Sequence, residues 1–228
     1  MADLQIVIPL YPQVTHLDFT GPHQVLSRVP NAKVVVASLG GADIEAEGLT
    51  FANLADLAAV DRCDVLCIPG GFGCADAMLD DDFMHEIGRL AAQARYLTSV
   101  CTGSLILAAT GRLAGRRAAC HWAWRHLLKP FGVIVDDSRV ARDGNIITGG
   151  GVTAGLDFAF VLAEELSDRR TAESIQLGLE YAPAPPFNSG RPELATEEVL
   201  AYVQKRMGPM IAAREAAART AAGRLQPA

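Results

Sequence analysis

The chain has 228 residues, half of them apolar, with 20 Lys and Arg against 26 Asp and Glu. A formal net charge of −6 argues against a nucleic-acid binder that works through a broad basic face, and a charged fraction of 20% excludes disorder and coiled coil. No apolar run reaches the roughly 18 residues of a membrane span, and the acidic Asp3 without a positive n-region speaks against a secretory signal; a soluble, cytoplasmic protein with one core is expected, without membrane or nucleic-acid partners.

In chain order, residues 4–10 form a short apolar run of strand length, followed by a helical pattern over 17–28. Lys33–Ser38 is β-branched and stopped by Gly40-Gly41, and residues 42–51 read as a hairpin. Asp64–Ile68 ends at Pro69-Gly70-Gly71. Asp80-Asp81-Asp82 opens a helix over 80–94, with Phe83, Ile87 and Leu90 on one face. A strand at 95–100 runs into Cys101, and helices are expected over 103–110 and 153–166. Val133–Val135 and Ile146–Thr148 read as short hairpin strands decorating the sheet. Residues 181–192, rich in proline, are expected to be extended, and Glu193–Gln226 to form a surface or partner-contacting helix, about 193–220, with a frayed tail.

Near-continuous apolar strands alternating with helices predict an open, mostly parallel α/β sheet flanked by helices, with small hairpin decorations and a C-terminal helix, in one domain over 1–228. Ligands of such sheets bind beyond the carboxyl ends of the strands. The polar and glycine-rich clusters fall there: Asp18–Pro22, Pro69–Gly73, Ser99–Ser104, His121-Trp122 and Thr148–Gly151.

The five cysteines, Cys63, Cys67, Cys74, Cys101 and Cys120, include no CxxC pair, so neither a disulfide framework nor a metal site is expected, and neither is a cofactor. Cys63 and Cys67 read as core thiols. Cys101 differs: SVCTGS places it between small residues at a strand-to-helix turn, the pattern of a nucleophile elbow. The helix N-terminus is expected to lower its pKa. Asp18 is either a helix N-cap or a carboxyl that shares one proton with the Cys101 thiol. Thr102 could add a hydroxyl and an N–H beside the nucleophile, or simply start the helix. His121 could pair with Cys101 or pack against Trp122 and Trp124. Gly70-Gly71 and Gly149–Gly151 are turn glycines or places where substrate meets backbone N–H groups; neither run matches a phosphate-binding pattern.

The stretches LDFTGPHQVL, CIPGG, RYLTSVCTGSLILAATGRLAGRRA, HWAW, RDGNIITGGGVTAGLDFA and QLGLEYAPAPPFNSG resemble the DJ-1/PfpI (class I glutamine amidotransferase-like) superfamily from about Gln5 to Gly190. Within it the chain is similar to the isocyanide hydratases, chiefly through the Asp of LD-x-TGP and the EYAPAPPFN segment. That resemblance implies a flavodoxin-like sheet and cofactor-free hydration of an isocyanide to an N-substituted formamide through a Cys101 thioimidate. Asp18 and Thr102 would manage the proton, Gly70, Gly71, Gly150, Gly151 and Val152 would bind substrate, and the active form would be a homodimer. The residues alone also fit a glyoxalase or deglycase, an amidase, or a ligand or redox sensor. AraC-type regulators share CTGS and HW, but the 38 residues after Gly190 leave no room for their DNA-binding module.

Overall fold

A computed structural model describes residues 4–225. Strands β1 (Leu4–Pro9), β2 (Ala32–Ser38), β3 (Ile44–Ala46), β4 (Leu49–Phe51), β5 (Ala55–Asp56), β6 (Val65–Ile68), β7 (Tyr96–Val100), β8 (Arg117–Ala118), β9 (Ile134–Val135), β10 (Val140–Asp143) and β11 (Ile146–Gly149) are interleaved with seven helices among the described residues. These are α1 (His16–Leu26), α2 (Cys74–Leu79), α3 (Asp81–Gln93), α4 (Gly103–Ala109), α5 (Ala154–Leu166), α6 (Arg169–Gly178) and α7 (Glu197–Gly223).

The main sheet runs β10-β11-β7-β6-β1-β2-β5 and is parallel except for the edge strand β10. The chain moves from β1 to β2 on one side and then crosses back to β6 on the other. The strand order therefore reverses between β1 and β6, and a crevice opens there at the carboxyl ends. Right-handed crossovers in the two directions put α1 on one face and α3 and α4 on the other. β6 and β7 are buried along their whole length, as expected of strands covered on both sides.

Local chemistry explains the boundaries. Asp80 caps α3 through its side chain, which accepts from the N–H of Phe83 at 3.0 Å. Asp168 does the same for α6, a charged amphipathic helix that the sequence reading passed over. The expected hairpin over 42–51 is the two-stranded β3-β4 unit.

One expectation fails. Residues 146–148 do not decorate the sheet: β11 lies inside it, parallel to β7 and antiparallel to β10, while β9 pairs in parallel with β8. Ile146 and Ile147 are fully buried, and that burial draws so short a run into the main sheet.

The C-terminal helix starts at Glu197, after residues 181–190, which form neither helix nor strand, and its N-terminal half is largely exposed. Its C-terminal half buries Arg214, Ala217, Ala218, Ala221 and Ala222, an i, i+3, i+4 stripe that packs against α2 and α4. The frayed tail expected up to Gln226 extends past the described residues.

Candidate active site

Three strand ends build the site. After β1, α1 begins with Thr15 at its N-cap, so Asp18 is not the cap but a residue of the first turn, with its side chain turned inward. It is fully buried. Its Oδ2 accepts a hydrogen bond from the Gly70 N–H at 2.9 Å. Oδ1 has no formed hydrogen bond; the carboxyl lies against the Cys101 thiol.

After β6 comes the Gly70-Gly71 turn. A Cβ on Gly70 would sit 2.5 Å from the Thr102 nitrogen and 2.8 Å from Asp18 Oδ2, so only glycine lets the turn approach both residues. The Gly71 N–H donates to Thr102 Oγ1 at 3.0 Å, and the Gly70 carbonyl accepts from the Thr15 N–H at 2.9 Å. Tyr11, from the end of β1, donates its hydroxyl proton to the Pro69 carbonyl at 3.0 Å and closes the same turn from below.

After β7, Cys101 adopts φ +58°, the left-handed region, as a nucleophile elbow requires. Its N–H donates to the carbonyls of Gly149 (3.1 Å) and Gly150 (2.8 Å), tying the strained residue to the end of β11. Gly103 permits the turn, because a Cβ there would lie 2.1 Å from the Ile68 carbonyl oxygen. Ser99 and Ser104 bridge the elbow at 2.8 Å, and Ser104 donates onward to the Ala119 carbonyl.

The electrostatics correct one expectation. The thiol pKa is raised well above its ordinary value, not lowered. Burial is the main cause, followed by the Asp18 and Cys120 charges, and the N–H of Thr102 only partly offsets them. α4 has just seven residues, so its dipole is small against that desolvation. Burial also pushes Asp18 up to about 7, with the Gly70 N–H and the Cys101 thiol pulling the other way. Burial raises both groups, Asp18 to about 7 and the thiol further, so as pH rises through neutrality the carboxyl ionises first and the pair goes from two protons to one.

His121 makes no hydrogen bond to Cys101 among the described residues. Burial, aided by the Arg214 charge, lowers its pKa to about 4, so it is neutral at physiological pH. Its Nδ1 accepts from the Ala123 N–H at 3.2 Å, which leaves the proton on Nε2. Beside it opens a cavity of about 690 Å³, lined by Cys120, His121, Gly150, Gly151 and Val152 on one side and by residues 190–194 on another. Cys101 does not line this cavity; it is 6% exposed and sits one peptide behind Gly150. Of the five glycine and valine candidates for substrate contact, Gly150, Gly151 and Val152 border the cavity, whereas Gly70 faces Asp18 and Thr102, and Gly71 lies against the backbone of residues 13–15 with its N–H on Thr102 Oγ1. Among the described residues no group of His, Cys, Asp or Glu is placed to hold a metal ion.

Arg214 was not anticipated. It reaches in from α7, 5% exposed, stacks on the Trp124 ring with its guanidinium carbon 4.3 Å from the centroid, and donates to the Gly71 carbonyl at 2.9 Å. The alanines at 217, 218, 221 and 222 were the available signal: their spacing puts Arg214 on the buried face.

The fold and much of the sequence are shared with known proteins. A 225-residue match at 45% identity covers 97% of it and 98% of the isonitrile hydratase of Pseudomonas putida. A crystal structure of a ThiJ/PfpI family protein from Pseudomonas syringae superposes with a TM-score of 0.91 at 37% identity, covering 98% of this chain and 92% of that one. The crystal structure of Drosophila melanogaster DJ-1beta has a TM-score of 0.69 at 26% identity and covers 80% of this chain and 100% of its own. The sequence signature of the DJ-1/PfpI family spans residues 4–165, from the first strand to the end of α5, and with these likenesses it makes the chain a member of that family.

Proposed function

We propose that this protein hydrates isocyanides to N-substituted formamides, with Cys101 as nucleophile and Asp18 as the group that moves the proton. The reading rests on a buried thiol at the strained elbow with a buried carboxyl against it, and it is supported by 45% identity to an isonitrile hydratase over nearly the whole chain.

An isocyanide carbon is both a weak base and an electrophile once protonated. Asp18 takes the thiol proton and delivers it to that carbon while the sulfur adds, so R–N≡C and Cys101-SH become R–N=CH–S–Cys101. Asp18, ionised again, takes a proton from water as the hydroxyl adds to the same carbon and passes that proton to the nitrogen. The resulting R–NH–CH(OH)–S–Cys101 collapses, expels the sulfur, and returns one proton to the thiol–carboxylate pair. R–NH–CHO leaves. Thr102 holds the Gly70-Gly71 turn through its hydroxyl and faces the sulfur with its N–H. Gly150, Gly151 and Val152 form the wall along which substrate approaches, and neutral His121 offers its Nε2 proton to the product carbonyl.

The protein acts as a homodimer. Phe187, Leu194, Val199 and Tyr202 are exposed apolar side chains on the segment before α7 and on the first half of α7, and residues 190–194 of that segment wall the cavity. Light scattering on the purified protein is expected to give twice the chain mass.

The activity is tested by incubating the protein with an aryl isocyanide and following the formamide. The native chain is expected to turn over, and Cys101→Ala is not. Absence of turnover in the native protein rejects the reading, and a fully active Cys101→Ala rejects the covalent route.

A further inference from the structure

We propose that Arg214, brought in by the last helix of the chain, is a positioning residue for the chemistry at Cys101: it clamps the turn whose two N–H groups hold Asp18 and Thr102. The inference rests on the functional reading above only for its effect on rate.

Arg214 is buried and makes no ion pair among the described residues. Its hydrogen bonds go to the carbonyls of Gly71 at 2.9 Å and Phe72 at 3.5 Å, and its flat face lies on Trp124. The ion pairs of α7 are made by Glu215, Arg219 and Arg224 instead. An unpaired guanidinium is a costly way to fill space beside a stripe of alanines, where methionine or leucine would pack without desolvating a charge. What the charge supplies is a directed, charge-assisted grip on a carbonyl.

The held carbonyl is the consequential one. Gly70 and Gly71 have no side chains to fix their peptides, and a Cβ on either would collide with its surroundings. The turn is therefore oriented by its hydrogen bonds and by the close approach of its backbone to residues 13–15 and Thr102. Toward the site, the Gly70 N–H binds Asp18 Oδ2 and the Gly71 N–H binds Thr102 Oγ1. The Gly70 carbonyl accepts from Thr15, and the Gly71 carbonyl accepts from Arg214, from the Cys74 N–H at 3.3 Å and from Thr102 Oγ1 at 3.4 Å. The Gly71 carbonyl belongs to the Gly71–Phe72 peptide, and its release frees Gly71, which has no side chain to hold it, to change φ and ψ. This turns the preceding peptide, which carries the Gly71 N–H, and through it loosens the Gly70 N–H. A small displacement of this kind moves the proton-carrying carboxyl relative to the sulfur.

Arg214 also lies beyond the region the family signature covers, which ends at residue 165. The match to the isonitrile hydratase spans 97% of the chain and therefore runs through most of α7.

Amide exchange by NMR tests the clamp without any substrate. In Arg214→Met, which keeps length and loses the fork, the Gly70 and Gly71 amides are expected to exchange at least about tenfold faster, with Leu66 and Cys67 in β6 unchanged and Arg214→Lys intermediate. In the hydration assay kcat is expected to fall about tenfold to a hundredfold with KM changed less than about twofold. Combining Arg214→Met with Thr102→Val is expected to cost no more than the worse single variant, because both act through one turn. Native-like protection of Gly70 and Gly71 overturns the proposal, and so does loss of protection spread evenly into β6, which is what a merely structural residue would give. If Arg214→Met does not fold, Arg214→Lys carries the same comparison at smaller amplitude. Faster exchange at the turn in a protein whose native form hydrates no isocyanide keeps the clamp and removes only the reading of the reaction.

Discussion

Cys67 lies on β6 and Cys101 just past the end of the adjacent β7, both buried and both with pKa values driven upward by loss of solvent, Cys67 to about 12. By burial and acidity they are alike. The difference lies in the backbone and in what the strand does next. Cys67 occupies the interior of β6 in ordinary extended geometry, fully covered. Cys101 occurs one residue past the end of β7, at φ +58°, with its N–H held by two carbonyls of the neighbouring strand and a carboxyl against its sulfur. An unusual thiol pKa therefore does not single out a nucleophile in this protein, because Cys63 and Cys74 are raised as well. A strained, over-determined turn with a proton partner does.

The sharpest break of that comparison is a pair of alanine variants. Cys101→Ala is expected to lose at least about a thousandfold in hydration rate with little change in melting temperature. Cys67→Ala leaves a small void and is expected to cost about 1 kcal/mol of stability while the rate stays near native. Comparable loss of activity in both variants would mean that the elbow has no special standing.

Asp18 sharpens the contrast next. Its carboxyl is raised from 3.8 to about 7 by burial, so the folded protein binds this proton more tightly than the unfolded chain. The stabilising contribution is complete below about pH 4 and is lost as pH rises to about 7, where the folded state must hold a buried charge. Asp18→Asn removes that penalty. It is expected to melt higher than the native protein at pH 8, by the equivalent of a few kcal/mol, and nearly equally at pH 4. Its hydration rate is expected to fall by about a hundredfold or more. In the native enzyme the rate should rise through about pH 7, where the pair goes from two protons to one, and a pH-independent rate from 5.5 to 8 would sink the shared-proton mechanism.

Gly70→Ala comes third. The added methyl would meet the Thr102 nitrogen at 2.5 Å and Asp18 Oδ2 at 2.8 Å, both fixed atoms, so the turn must move. A destabilisation of about 1–3 kcal/mol and roughly a tenfold loss in rate are expected. Gly88→Ala, on the exposed side of α3 with nothing within 4 Å, is the control, and its denaturation midpoint is expected to rise slightly.

How much of this was legible before the fold varies with the range of the interaction. The elbow was readable because SVCTGS is a local pattern, and Asp80 as a cap because its partner is three residues away. Asp18 was recognisable as a candidate, but whether it capped α1 or faced Cys101 depended on a partner 52 residues distant, the Gly70 N–H. β11 was misplaced because four residues do not carry their own pairing; the sheet position comes from β7 and β10. The direction of the Cys101 shift was misjudged because a helix N-terminus is visible in sequence and desolvation is not. Arg214 was hidden for the same reason: one arginine in an Ala/Arg/Glu-rich helix declares its role only through Gly71, 143 residues away.

His121 gives the smallest expected effect and separates an elbow that needs a base from one that carries its own. With a pKa near 4 and Nδ1 occupied by the Ala123 N–H, the ring neither holds a positive charge beside the sulfur nor accepts its proton at neutral pH. Its remaining asset is the Nε2–H at the cavity wall, next to Gly151. His121→Gln supplies a donor of similar reach and is expected to keep kcat within about threefold, with any loss appearing first in KM. A loss of a hundredfold or more in kcat would make the imidazole part of the proton path. Asp18 would then no longer suffice as the thiol's only partner, and the contrast with Cys67 would rest on three groups instead of two.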